Sequence, residues 1–267
     1  MTTPLDDLFV KTRAENRAAL IAYIPAGFPS IEGCKKVIQA FVEGGVDAIE
    51  IGFPYSDPVM DGPTIQAAAD KALAQGTGAQ EVFDALKVAT DSGIPSVVMT
   101  YWNPIEKYGV EKFAQAIVDH GGSGVITPDL TIEESQSWKA AVEATGINPI
   151  YVVAPSTTDA RLPQVTSRCG GFIYAASLMG VTGARATVSS GAPGLVARVR
   201  TTTDLPVAVG LGVSTREQAK GVAAYADGVI VGSAFIKALL DADDEEAGLV
   251  AVKNLASELA LGVREGR

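Results

Sequence analysis

Val46-Asp47-Ala48-Ile49-Glu50-Ile51-Gly52-Phe53-Pro54-Tyr55-Ser56-Asp57-Pro58-Val59-Met60-Asp61-Gly62-Pro63-Thr64-Ile65-Gln66 reads as strand, loop and helix in succession. The run from Val46 to Phe53, past Asp47 at its start, is apolar enough for a strand buried on both faces, except at Glu50. Burying that carboxylate as an ion costs several kcal/mol, roughly, unless it is paired, protonated or used. Two prolines and a Ser-Asp-Pro turn follow, then a second acid, Asp61. Gly62-Pro63 ends the loop, and Thr64-Ile65-Gln66 opens a helix. Two carboxylates at the mouth of one strand, joined by a rigid loop, are placed to act on one small ligand.

The same alternation extends in both directions. Residues 4–15 read as a short amphipathic helix, and Ala19–Pro29 as an apolar strand stopped by Pro and Gly. Ser30 is an N-cap for a helix running to about Glu43, which Gly44-Gly45 ends. Beyond the acidic loop, 63–75 and 79–91 read as helices. Ser96–Tyr101 is a third strand, Trp102-Asn103-Pro104 turns away from it, and Val110–Asp119 is helical. Further strands are read at Gly124–Asp129, Pro149–Pro155, Gly171–Ala176, Pro206–Gly212 and Gly228–Ser233. Helices are read from about Ile132 to Ala144, over Thr215–Ala224, and finally to Val263 with a break in the acidic patch Asp241–Glu246.

Eight apolar runs, nearly all followed by a helical segment, predict a parallel sheet with crossover helices. In 267 residues that pattern closes most readily into an α/β (β/α)8 TIM barrel. The expectation is a single domain over residues 1–267, with the short N-terminal helix plugging the barrel bottom. The glycine, serine and threonine cluster at 181–194 is expected to be a mobile loop at the barrel mouth.

Composition narrows the function. A formal charge of −10 argues against nucleic acid or an anionic membrane surface as partner. A small phosphate is still bindable, through backbone N–H groups rather than a Lys/Arg cluster. Cys34 and Cys169 lie far apart with no framework spacing and read as free thiols in a reducing cytoplasm. The N-terminal residues have no basic and apolar leader pattern, and no apolar run reaches membrane-spanning length. With His120 the only histidine, His-based metal sites and Ser-His-Asp catalysis fall away, and no metal is expected. His120 itself, beside Gly121-Gly122, reads as the end of a helix on the opposite face.

In such barrels reactive residues sit at strand C-termini and in the loops that follow. Glu50 and Asp61 meet that rule. On local sequence, Glu50 can instead be a structural residue satisfied by a hydroxyl, and Asp61 a turn or N-cap residue. Gly210-Leu211-Gly212 and Gly232-Ser233 follow the seventh and eighth strands, where phosphate commonly binds. The alternative is that these glycines only make tight turns. Met179-Gly180-Val181-Thr182-Gly183-Ala184-Arg185, after the sixth strand, is either a glycine-hinged lid or simply a flexible loop.

Tyr55-Ser56-Asp57-Pro58 with Asp61-Gly62-Pro63-Thr64-Ile65-Gln66 resembles the signature of the tryptophan synthase α subunit family. Met99-Thr100-Tyr101-Trp102-Asn103-Pro104, Thr127-Pro128-Asp129-Leu130, Gly180-Val181-Thr182-Gly183 and Gly210-Leu211-Gly212-Val213 are similar to further motifs of that family. The resemblance runs from about residue 18 to the C-terminal helix. It implies a carbon–carbon lyase that cleaves indole-3-glycerol phosphate to indole and glyceraldehyde 3-phosphate without a cofactor of its own. It also implies a pyridoxal-phosphate-dependent β subunit as partner in an α2β2 heterotetramer. Residue by residue, it implies Glu50 as the general acid–base and Asp61 as the carboxylate facing the ring N–H. Tyr23, Met99, Tyr101, Val152, Tyr174 and Leu211 would line the indole pocket. Thr182 would orient Asp61; Gly183, Gly212, Gly232 and Ser233 would hold the phosphate; Asp57, Pro58 and Asp129 would face the partner.

Leu178 stands where the best-known members carry Arg, Phe53 replaces a common Val and Thr131 a common Pro, and none of these touches the acid pair. Related barrels of tryptophan and histidine synthesis use Lys, Cys or Asp at the ends of strands one and five. Here those strands end in Tyr23-Ile24-Pro25 and Val153-Ala154-Pro155. A stand-alone lyase releasing free indole, and a barrel that merely binds and activates a partner, are the remaining readings.

Overall fold

The computed structural model describes residues 2–176, 191–210 and 212–267. In chain order the elements are α1 (Pro4–Ala14), β1 (Ala19–Pro25), α2 (Ile31–Glu43), β2 (Ala48–Gly52), α3 (Pro63–Ala74), α4 (Ala79–Asp91), β3 (Ser96–Met99), α5 (Trp102–Tyr108), α6 (Val110–Asp119) and β4 (Gly124–Ile126). They continue as α7 (Gln136–Thr145), β5 (Asn148–Ile150), β6 (Val152–Val153), α8 (Leu162–Thr166), β7 (Ile173–Ala176), α9 (Ala192–Arg200), β8 (Val207–Gly210), α10 (Arg216–Ala223), β9 (Gly228–Val231), α11 (Ser233–Leu240) and α12 (Glu245–Glu265).

All pairings are parallel, in the order β5-β4-β3-β2-β1-β9-β8-β7-β6. The two ends of that row, β5 and β6, are one stretch of chain interrupted at Tyr151. Thr127 N–H donates to Ile150 O on one side, and Tyr174 N–H to Tyr151 O on the other. One kinked stave therefore joins both edges, and the eight expected strands form a closed (β/α)8 barrel.

Side chains alternate between lumen and outer layer, as the period of two requires. Ala19, Ile21, Ala48, Val97, Ile126, Ile150, Phe172, Ala208 and Ile230 fill the lumen. Leu5 and Phe9 of α1 complete this cluster, with Phe9 against Phe172 at 5.7 Å between ring centroids. The helix is set for this role by a capping box: Asp6 N–H donates to the Thr3 hydroxyl, and Thr3 N–H to the Asp6 carboxylate at 2.7 Å. The N-terminal plug is thus where the sequence put it. Ser30 likewise caps α2, accepting from Gly33 N–H at 2.9 Å.

Three expectations need correction. Trp102-Asn103-Pro104 does not turn away but begins α5; Pro104 is tolerated because it lies in the first turn, where N–H groups lack intrahelical acceptors. The helix expected from Ile132 starts only at Gln136, after a turn. Of the expected 181–194 loop, Ala192-Pro193-Gly194 is the first turn of α9, opened by a proline at its start. Residues 177–190 lie outside the described residues. His120 ends α6, its Nδ1 2.7 Å from Ala116 O and its ring stacked on Phe83, a packing role.

Candidate active site

Glu50 occupies the middle of β2, in register with Tyr23 of β1 and Val97 of β3. Ala48 points into the lumen, so Glu50, two residues on, does too, one layer nearer the C-terminal mouth. The side chain is fully buried, and among the described residues its Oε2 has no hydrogen-bond partner. Burial, reinforced by the nearby Asp61 charge, pushes the Glu50 carboxyl up to about 8. It is a buried acid that holds its proton at neutral pH and can release it within the physiological range.

Asp61 comes from the loop between β2 and α3 and is nearly buried. Gly62, not Asp61, is the N-cap of α3, with no side-chain cap bond, so the capping alternative does not hold. Instead the Asp61 carboxyl lies beside the Tyr101 hydroxyl, which favours its charged form. Burial raises its pKa and that hydroxyl works the other way. The Gln66 amide donates to Asp61 O at 2.7 Å, tying the loop's end to the helix that follows.

The aromatic residues converge on the same two acids. Tyr23 and Tyr174 are pushed well above the ordinary tyrosine range, first by burial and then by the charges of both Asp61 and Glu50. Met99, Val152 and Tyr174 pack on the lumen cluster. One chamber at the C-terminal end of the barrel therefore collects Glu50, Asp61, Tyr23, Tyr101 and Tyr174, with Met99 and Val152 on the lumen beneath.

Its glycines carry a second function that sequence reasoning missed. A Cβ on Gly52 would lie 2.4 Å from the Tyr23 hydroxyl, one on Gly210 2.6 Å from that of Tyr174, and one on Gly232 2.9 Å from Tyr23 Cδ1. Bare backbone at these strand ends is what lets the tyrosines lie flat across the barrel mouth. Gly212 adopts the left-handed φ of +66°. Gly212 and Gly232 follow neighbouring strands, and Gly232 caps α11, its carbonyl accepting from Phe235 and Ile236 N–H while the N–H groups of Ser233 and Ala234 precede the first helical bond. Ser233, at the start of that helix, is buried. Thr182, Gly183 and Leu211 lie outside the described residues, as do Leu178 and the whole stretch from Met179 to Arg185.

Residues expected to face a partner lie on the rim. Asp57 is exposed and Pro58 half-buried, beside Val59, which is 72% exposed. Asp129 is exposed too, yet both its oxygens accept from Trp102 N–H, at 3.0 and 3.1 Å. Asn103 and Tyr55, quoted above only as parts of motifs, are bonded to each other, Nδ2 to hydroxyl, at 3.2 Å. Among the described residues no group of three or more His, Cys, Asp or Glu is placed to hold a metal ion, and no helix is long and apolar enough to cross a membrane.

A closed parallel barrel with a proton-holding carboxyl inside its second stave, and another carboxyl at the mouth of that stave, belongs to the barrel enzymes that work by acid–base chemistry. Comparison with known proteins narrows the class. The family model described as Tryptophan synthase alpha chain matches residues 9–264. A Tryptophan synthase alpha chain of Streptomyces avermitilis is 54% identical over 98% of this chain and 95% of its own. One of Mycobacteroides abscessus is 51% identical over 99% of each. A solved Mycobacterium tuberculosis tryptophan synthase structure superposes with a TM-score of 0.93 at 48% identity, covering 99% of both chains. A tryptophan synthase subunit alpha from Legionella pneumophila gives 0.87 at 32%, covering 98% and 99%. The chain belongs to the tryptophan synthase alpha chain family.

Proposed function

We propose that this chain cleaves indole-3-glycerol phosphate to indole and glyceraldehyde 3-phosphate, with Glu50 and Asp61 carrying the chemistry. The observation that supports this most is the Glu50 carboxyl: buried, with its Oε2 unpartnered among the described residues, and raised to about 8 beside a second acid. Retro-aldol cleavage needs one proton delivered to ring carbon C3 and one taken from the hydroxyl on the adjacent side-chain carbon. Glu50, protonated at neutral pH, gives the first. As the carboxylate so formed, it takes the second. The carbon–carbon bonding pair returns to the ring, indole and the aldehyde separate, and Glu50 ends with its proton restored. Between these steps the ring is a cationic indolenine, and an ionised Asp61 accepting its N–H stabilises that charge.

Tyr23, Met99, Tyr101, Val152, Tyr174 and Leu211 form the walls around the ring in this reading. Gly183, Gly212, Gly232 and Ser233 hold the phosphate through backbone N–H groups, and Thr182 orients Asp61. The whole chain acts as one domain in the cytoplasm, with no cofactor of its own. Its partner is a pyridoxal-phosphate-dependent β subunit in an α2β2 assembly, met through Asp57, Pro58 and Asp129, and the indole passes to it.

The test is condensation: purified chain mixed with indole and glyceraldehyde 3-phosphate, with and without a β subunit, followed by appearance of indole-3-glycerol phosphate. Product in both mixtures, faster with the β subunit, is the expected result. Absence of product in both contradicts the reaction, and equal rates contradict the partnership.

A further inference from the structure

The loop carrying Asp61 is held by a residue 41 positions away. Met60 N–H donates to the Tyr101 hydroxyl at 3.1 Å, which places that hydroxyl beside the carboxyl of the next residue, Asp61. The Tyr101 ring lies 5.1 Å from that of Tyr55, between centroids. Tyr101 is itself anchored: it caps α5, and the next residue, Trp102, donates its N–H to both oxygens of Asp129. Asn103 then reaches back to the Tyr55 hydroxyl. The end of β3 and the start of α5 thus form a rigid bracket around the loop that ends in Asp61.

We propose that Tyr101 is a positioning residue: by accepting from Met60 N–H and donating to Asp61, its hydroxyl fixes that carboxylate in the chamber with Glu50. This rests on the cleavage reading and deepens it, because there Tyr101 is only part of the pocket wall. The groups that face Asp61 among the described residues are Glu50 from β2, Tyr23 from β1, Tyr174 from β7 and Tyr101 itself. Of these, the Tyr101 hydroxyl favours the ionised form of the carboxylate, against the burial that disfavours it. Without the hydroxyl, Asp61 takes up its proton at higher pH and loses its aim.

The test is Tyr101→Phe, which keeps the ring, with Tyr55→Phe as comparator, since it breaks the Asn103 bond and leaves the Tyr101 hydroxyl in place. Cleavage of indole-3-glycerol phosphate is followed against pH, and aspartate carboxyls are titrated by carbon-13 NMR. Tyr101→Phe is expected to lower kcat about 10- to 100-fold, the worth of a hydrogen bond to a charged group, with a smaller change in KM. The acid limb of its profile and the Asp61 titration both move to higher pH, while those of Tyr55→Phe stay with the unaltered chain. A Tyr101→Phe profile and titration that overlay the original, or a Tyr55→Phe shift of equal size, overturn the proposal while leaving the cleavage reading intact. An unaltered chain with no turnover overturns the cleavage reading instead; the NMR titration still reports whether Tyr101 sets Asp61.

Discussion

Glu50 sits where an apolar side chain would pack without cost, and its raised pKa has a consequence for stability as well as for chemistry. In the unfolded chain the group ionises near its ordinary value of 4.5, whereas in the folded chain it does so at about 8. Between those values the unfolded state has lost the proton that the folded state keeps, so stability falls as pH rises through this window and levels off above it. Glu50→Gln, which preserves shape and cannot ionise, removes that loss. Its unfolding free energy from urea titration is expected to match the original below about pH 4 and to exceed it, on the order of 5 kcal/mol, above about pH 8. The same substitution lowers cleavage about 100- to 10,000-fold. A variant with near-normal turnover, or one whose stability difference ignores pH, contradicts the assignment. Glu50 was legible in the sequence because a carboxylate in the run Ala48–Gly52 breaks the pattern of its neighbours. Tyr101 was not legible as a bracket. An aromatic at a strand end reads simply as pocket wall, and its partners Met60 and Asp61 belong to a loop far away in sequence.

At the scale of elements, strand ends shape the chamber through what they omit. Gly52 accepts Ala26 N–H through its carbonyl while the Tyr23 ring crosses over its missing side chain. Gly52→Ala forces that ring aside, and overpacking of this kind costs about 1–3 kcal/mol. A lowered denaturation midpoint together with reduced cleavage is expected; unchanged values in both contradict the packing. The period of the apolar runs was enough to place nearly every strand and most helices. It could not show that Pro104 lies in a helical first turn, because a proline reads alike as a turn residue or an N-terminal helical one. Nor could it show the break at Tyr151, since Asn148–Val153 looks uninterrupted until two different neighbours are paired with its halves.

At the scale of the molecule, the chemistry stands at one end of the barrel and a charged clasp at the other. Asp227, buried just before β9, accepts from Val207 N–H and pairs with Arg200 and Arg267, each at 3.0 Å, with Arg13 at 3.7 Å. The clasp gathers α1, α9, the C-terminus and the foot of β8. Burial works against the Asp227 charge, but the Val207 N–H and the arginines outweigh it and hold the carboxyl below its ordinary value. Its contribution is therefore present above about pH 4 and is lost as pH falls through the lower, folded-state value. Asp227→Asn is expected to cost about 3 kcal/mol at neutral pH and to narrow its deficit in acid. Equal midpoints at neutral pH contradict the clasp. This cluster was not visible in the sequence, where its four charges are spread from residue 13 to residue 267 and only barrel closure brings them together.

The most direct measurement is the dependence of kcat/KM for indole-3-glycerol phosphate cleavage on pH. A proton-bearing Glu50 beside an ionised Asp61 predicts a bell whose alkaline limb bends at about 8, where Glu50 gives up its proton before the substrate can receive it. A profile that stays level through that region, with turnover intact, contradicts it.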